Sequence, residues 1–227
     1  MKHTKHFTII VLIGLAAIAR GQNFKNDLGV EGGPGLTFLY GNHYANNNLK
    51  PFFGGTGGLY YQRNFIKIFA LKTGLYYMYI GSKSPGRAYD PQGTPVAVTN
   101  VRLNTDYLSI PLLAKLSFGG PVKFFLNAGP YGAMMLHATQ EYQENYQNNT
   151  SDKTSSYKRF DAGVAFGLGL NVHISHFAFN LEERSNLGLV NTSSIAGNNG
   201  NGDVHTFIST LMIGFGYRFG EGKEKSK

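Results

Sequence analysis

The sequence contains no cysteine. Disulfides and thiolate metal sites are therefore excluded, and stability has to come from hydrogen bonding and packing in whatever medium surrounds the chain. Also missing is any compact group of lysines and arginines interleaved with aromatics, so a formal charge of +8 does not imply a nucleic-acid groove. Beyond residue 21 there is no long apolar run, and the mean hydropathy is −0.20, which rules out a bundle of membrane helices.

The one apolar run stands at the start. MKHTKHFTIIVLIGLAAIARGQ has a basic front at Lys2 and Lys5, an apolar stretch from Phe7 to Ala19, then small residues at Ala19 and Gly21. That order is the order of a secretory signal peptide, and its apolar part is shorter than the roughly 20 residues a spanning helix needs. Residues 1–21 are expected to be a leader cleaved before Gln22, which removes Lys2, Lys5 and Arg20 and lowers the formal charge to +5. The expected organisation is this leader, a single domain over 22–219 and a short tail over 220–227.

The remainder is dominated by a period of two. FDAGVAFGLGLNV sets Phe160, Ala162, Val164, Phe166, Leu168, Leu170 and Val172 on one face against Asp161, Gly163, Ala165, Gly167, Gly169 and Asn171 on the other. TFISTLMIGFGYRF repeats the pattern, with Phe215 and Phe219 opposed to Gly216 and Arg218. A helix cannot use such alternation; a sheet with two different faces can. The same ruler predicts strands near 28–40, 52–63, 67–80, 103–118, 122–136, 160–172, 177–187 and 206–219. Their connections alternate between short turns at 64–66, 119–121 and 174–176 and long polar segments at 41–51, 81–102, 137–158 and 188–203. An even number of antiparallel strands joined in this way predicts an all-β fold, an antiparallel eight-stranded transmembrane β-barrel of the outer-membrane type.

Such a barrel pairs every backbone donor and acceptor without an edge, so one face can meet lipid. In YLSIPLLAKLSF the lipid-facing set is Leu108, Ile110, Leu112, Ala114, Leu116 and Phe118, joined elsewhere by Phe166, Leu168, Phe215 and Phe219. Pro111 removes one ladder bond and predicts a bulge. Eight strands enclose a lumen that side chains fill. Alternation sends Glu31, Gln62, Lys72, Lys115, Lys123, Asp161, Asn180, Glu182, Arg184 and Arg218 into it, and buried ions are costly unless paired. An ion-pair network of Glu31, Lys72, Lys115, Asp161, Glu182, Arg184 and Arg218 is the expected plug, with Asp161 or Glu182 as the partner of Lys115. Glu183 falls on the lipid side, so either a bulge near it shifts the register or it stands above the bilayer.

Taken in order, YLSIPLLAKLSF, FLNAGPYGAMML, FDAGVAFGLGL, LEERSNLGL and the closing IGFGYRF resemble the strands of PorT-like outer-membrane β-barrel proteins of Gram-negative bacteria, over essentially the whole chain after the leader. The resemblance implies a barrel in the outer membrane, and one relative's accessory role in secretion gives an alternative function. The tail GEGKEKSK after Phe219 departs from barrels that end on a terminal aromatic.

The expected location is the outer membrane with both termini in the periplasm, and the expected partners are membrane lipid and a protein or glycan at the long loops. EYQENYQNNTSDKTSSY, with its tyrosines, amides and hydroxyls, suits such recognition. A lipid-modifying or proteolytic rim enzyme would draw on His43, His137, His205, Ser82, Ser84, Ser155, Glu141 and Asp203, which form no nucleophile elbow or metal motif. No catalytic residue, metal or cofactor is expected, nor nucleic acid. His173 and His176 flank a turn, and NTSSIAGNNGNGD lacks the final glutamate of a calcium loop. A soluble lipocalin-like barrel would reverse the two faces.

Overall fold

The computed structural model of the protein describes residues 24–85, 88–89, 95–96, 100–144, 147–194 and 203–221. The expected leader, the end of the tail and parts of the segments 81–102 and 188–203 lie outside the described residues. The strands are β1 (Phe24–Gly41), β2 (Lys50–Asn64), β3 (Phe69–Pro85), β4 (Ala88–Tyr89), β5 (Pro95–Val96), β6 (Asn100–Gly119), β7 (Val122–Glu144), β8 (Gln147–Asp152), β9 (Phe160–Ile174), β10 (Phe177–Gly188) and β11 (Val204–Glu221). Eight of them, β1, β2, β3, β6, β7, β9, β10 and β11, form a ring in which each pairs with its neighbours antiparallel; β6–β7 pairing and β1–β11 pairing complete the circle. The expected fold class is the observed one.

Closure follows from the alternation, because an open sheet would leave two rows of unpaired backbone groups on a wall that is otherwise apolar. Both ends of the described chain lie at one rim, where Phe24 pairs with Glu221. The same rim carries the tight turns after β2, β6 and β9. Gly119 has φ 114° and Ser175 φ 52°, the left-handed backbone such reversals need. The long connections gather at the opposite rim.

Three local expectations are corrected. The register runs unbroken past Pro111, from Ile110↔Gly132 through Pro111↔Tyr131 to Ala114↔Ala128, so the proline makes a gap in the ladder and no bulge. Its carbonyl is engaged by the Thr73 hydroxyl at 2.7 Å. The register shift of this strand pair falls instead between Asp106 and Tyr107, whose partners His137 and Met135 leave Leu136 unopposed. At Glu183 no shift occurs: β10 keeps one register against both neighbours from Phe177 to Leu187. Finally, two polar segments read as loops carry structure. Residues 43–48 form a short helix, α1 (His43–Asn48), capped by the Asn42 side chain, which accepts from Ala45 N at 2.7 Å. Residues 139–144 extend β7 and residues 147–152 pair back on it as β8, from Thr139↔Asp152 to Glu144↔Gln147.

Candidate functional site

The interior contains four buried acids, Asp27, Glu31, Asp161 and Glu182, and four buried bases, Lys72, Lys115, Arg184 and Arg218, so its formal charge is zero among the described residues. At mid-height two of each sign form a closed square. Lys72 Nζ donates to Glu31 Oε2 at 2.6 Å and to Glu182 Oε2 at 2.8 Å. Arg184 closes the other side, Nη2 to Glu31 Oε1 at 2.7 Å and Nε to Glu182 Oε1 at 2.6 Å. Tyr76 donates to Glu31 Oε1 at 2.6 Å, and Asn127 donates to Glu182 Oε1 at 3.0 Å. Each carboxylate thus receives three donors, which is what makes ions tolerable away from water.

Glycine makes room for this square. Glu31 lies between Gly58 and Gly214 in the register, Glu182 beside Gly169, and Arg184 beside Gly167. A Cβ on Gly214 would stand 3.0 Å from Glu31 Cβ, and one on Gly167 would stand 3.1 Å from Glu182 Oε1. The long side chains cross the lumen over bare backbone. The rings of Tyr60 and Tyr76 complete the surroundings, with Lys72 Nζ 4.8 Å from the first centroid and the Arg184 guanidinium 5.1 Å from the second.

Towards the rim of short turns, Lys115 Nζ lies 3.8 Å from the Phe125 ring centroid and donates to Gln62 Oε1 at 3.0 Å. Gln62 passes the connection on, donating to Asp27 Oδ2 at 3.0 Å, while Arg218 Nε stands 3.5 Å from Asp27 Oδ1. The partner expected for Lys115 is therefore corrected: an amide takes the place of Asp161 or Glu182. Asp161 lies apart, accepting from Thr206 Oγ1 at 2.5 Å and Tyr131 Oη at 3.3 Å. It sits among an apolar plug below the long connections that includes Leu39, Ile80, Tyr107, Met135 and Ile208. Between plug and square a cavity of about 10 Å³, lined by Tyr76, Met78, Arg184 and Met212, has space for about one water.

So Glu31, Lys72, Glu182 and Arg184 are brought together, Lys115 and Arg218 belong to a second chain of bonds, and Asp161 to a third group. Asp27, Tyr76 and Asn127 were missed. Asp27 shares the parity of Glu31 four positions along but precedes the predicted start of its strand.

The outer face reverses this chemistry. Ile110, Leu112, Phe166, Leu168, Phe215 and Phe219 are exposed and Leu108 is half exposed, within a wall of aliphatic and aromatic side chains. Phe38 stacks on Phe207 at 4.6 Å near the long connections, and Phe177 stacks on Phe215 at 5.4 Å near the turns.

The rim candidates do not converge. His43 contacts Asn47 within its own helix at 3.1 Å, His205 lies 3.1 Å from Val190 O, and Asp203 accepts from Asn191 at 2.7 Å. Ser82 donates to Lys50 O at 3.2 Å, while Ser84 is buried on β3 and Ser155 lies in a single turn of 3-10 helix. Glu141 accepts from Asn104 at 3.1 Å. His137 faces Asp152 across 3.5 Å, and the Thr154 backbone N–H, 2.7 Å away, holds the Asp152 carboxyl below the usual carboxylate range. Among the described residues, no three of His, Asp and Glu are grouped to hold a metal.

A family profile described as outer membrane protein beta-barrel domain matches residues 20–194. No curated protein matches the chain. Among solved structures, the outer membrane protein OprG of Pseudomonas aeruginosa is similar at 14% identity and a TM-score of 0.46, with 87% of this chain and 98% of that one covered. Neisserial surface protein A is similar at 12% identity and a TM-score of 0.45, covering 86% and 97%. The attachment invasion locus protein of Yersinia pestis, solved in complex with the heparin analogue sucrose octasulfate, is similar at 14% identity and a TM-score of 0.40, covering 86% and 99%.

Proposed function

The chain belongs to the outer membrane protein beta-barrel family, and from that premise we propose that it is a plugged barrel that acts as an interaction protein through the long connections at one rim. The observation that carries this reading is the square of Glu31, Lys72, Glu182 and Arg184 across the lumen: four charges that satisfy one another in mid-barrel are built to stay closed, which leaves the rim as the surface for partners. The β7–β8 hairpin supports it by extending a paired strand with Tyr142 and Asn149 past the wall. The occupant we favour there is a protein or glycan. The motifs from YLSIPLLAKLSF to IGFGYRF favour a PorT-like member, and with it an accessory role in secretion as a further reading.

Orientation follows from the same asymmetry. The rim with both termini and the tight turns faces the periplasm, and the long connections face outward. Leu108, Ile110, Leu112, Phe166, Leu168, Phe215 and Phe219 then meet acyl chains. From Phe207 to Tyr217, at about 3.3 Å per residue and a tilt of roughly 40°, the wall rises roughly 25 Å, the height of an outer-membrane apolar band. Protease added to intact cells is expected to cut between Glu141 and Lys158 and to spare a tag placed after Lys227. Loss of the tag with the hairpin intact would invert the arrangement.

A further inference from the structure

One acidic side chain lies on the wrong face. Alternation along β10 turns Glu183 outward between Leu181 and Ser185, and its cross-strand neighbours are Leu168 and Leu211. The Ser185 and Ser209 hydroxyls donate to the same oxygen, Oε1, at 2.9 and 2.8 Å. Among the described residues nothing donates to Oε2 and no cation pairs with the group. The island ends there: Ser185 is flanked by Phe166, and the next outward position, Leu187, lies between Val164 and Phe207.

Its depth matters. Leu211, the partner of Glu183, stands between the aromatic rows at Phe207 and Tyr217, so at about 3.3 Å per tilted residue the carboxylate lies roughly 10 Å inside the nearer row. Charged lipid groups are confined to the interfaces and cannot bring a fixed cation to that level. A protein can. Beyond β11 the wall is also dented: Gly32 and Gly57 face each other, and Ile213 rises beside them 73% exposed, forming a groove with Val30 and Leu59.

We propose that this part of the wall, across β10, β11 and β1, is an interface for a membrane-spanning segment of another protein that presents an arginine or lysine to Glu183. The two serines hold the carboxylate in place, and Oε2 is left for the incoming donor. A second copy of this chain would bring carboxylate to carboxylate and does not fit. The interface rests on the location of the barrel in the membrane and is separate from the rim.

The test places a photoreactive benzoylphenylalanine at Leu211 in the full-length protein in cells, with Glu183 intact, as Glu183→Gln and as Glu183→Leu. The expected result is one cross-link, mapped by mass spectrometry to a spanning segment of a different protein that contains Arg or Lys, and reduced about tenfold or more by Glu183→Gln, the change expected from roughly 1.4 kcal/mol of lost pairing. Replacing the mapped basic residue by Gln should have the same effect. In vesicles without a partner, Glu183→Leu should unfold at equal or higher urea than the parent, because it removes a charge from the apolar band. Cross-linking to lipid alone, to a second copy or to nothing overturns the proposal, as does a cross-link indifferent to Glu183. So does a Glu183→Leu barrel that unfolds at lower urea, since the carboxylate would then serve the barrel itself. Outer-membrane fractionation with no such cross-link would sink the interface and leave the plugged-barrel reading standing.

Discussion

Lys115 and Ile110 are five positions apart on one strand, yet the lysine is fully buried and the isoleucine is 58% exposed. Burial separates the two faces of this wall in the opposite sense from a water-soluble domain. The outer face needs only to be apolar, because lipid makes no specific demands, so its side chains are interchangeable within that class. The inner face is held by particular partners at particular distances. Substitutions inside should therefore fail by leaving a group unmatched, and substitutions outside by being wetted badly.

The sharpest way to break that contrast is at the square. Lys72→Met leaves Glu31 and Glu182 sharing only Arg184, and the stranded charge is expected to cost about 3–5 kcal/mol in urea unfolding of the barrel in vesicles. Adding Glu31→Gln should recover part of that loss, because it restores neutrality. A double mutant no better than the single one would mean that packing, rather than charge, holds the interior.

Outside, Leu112→Arg is the matching probe. An exposed leucine on the wall becomes a cation facing hydrocarbon, with an expected loss of about 2–4 kcal/mol in the same assay. In detergent micelles, which wet the surface more readily, the loss should shrink, whereas that of Lys72→Met should not. Equal losses in both media would argue that Leu112 does not meet acyl chains.

These faces were legible in the sequence because side-chain parity is a local property. Parity sent Lys115, Glu182 and Arg184 inward, and it says nothing about depth or about who lies across the lumen. Lys115 pairs in register with Ala70 and Asn127, while Asp161 sits opposite Ala133, well along β7, so the two share a face and never meet. That separation is fixed by turns and ring closure, which involve residues far apart in sequence. The β7–β8 hairpin stayed hidden for a different reason: both of its faces are polar, so Thr139–Glu144 lacks the apolar alternation by which a strand is recognised. Helix α1 rests on an Asn42 cap over a polar turn and likewise leaves no hydrophobic signature.

A smaller inner effect comes from shape alone. Gly216 carries no charge, but a Cβ there would run into the Tyr60 hydroxyl, which also accepts from Asn180 at 3.1 Å. Gly216→Ala should cost about 1–3 kcal/mol through overpacking. Tyr60→Phe in the same chain should relieve the clash, and a failure to do so would point to backbone rather than side-chain contact.

The smallest effect is expected outside, where no single contact is indispensable. Phe38 and Phe207 are direct cross-strand partners with rings 4.6 Å apart at an interplanar angle of 27°. Each also loses apolar area to its neighbours on the wall, but lipid can replace that contact when one ring is removed, which the lumen cannot do for a lost ion. Only the ring-to-ring interaction is then at stake, and a double-mutant cycle of Phe38→Ala and Phe207→Ala should return a coupling of about 0.5–1.5 kcal/mol. A coupling as large as the one between Lys72 and Glu31 would show that the outer wall is also organised by specific pairs, and the division between a matched interior and an interchangeable exterior would fail at the row nearest the long connections.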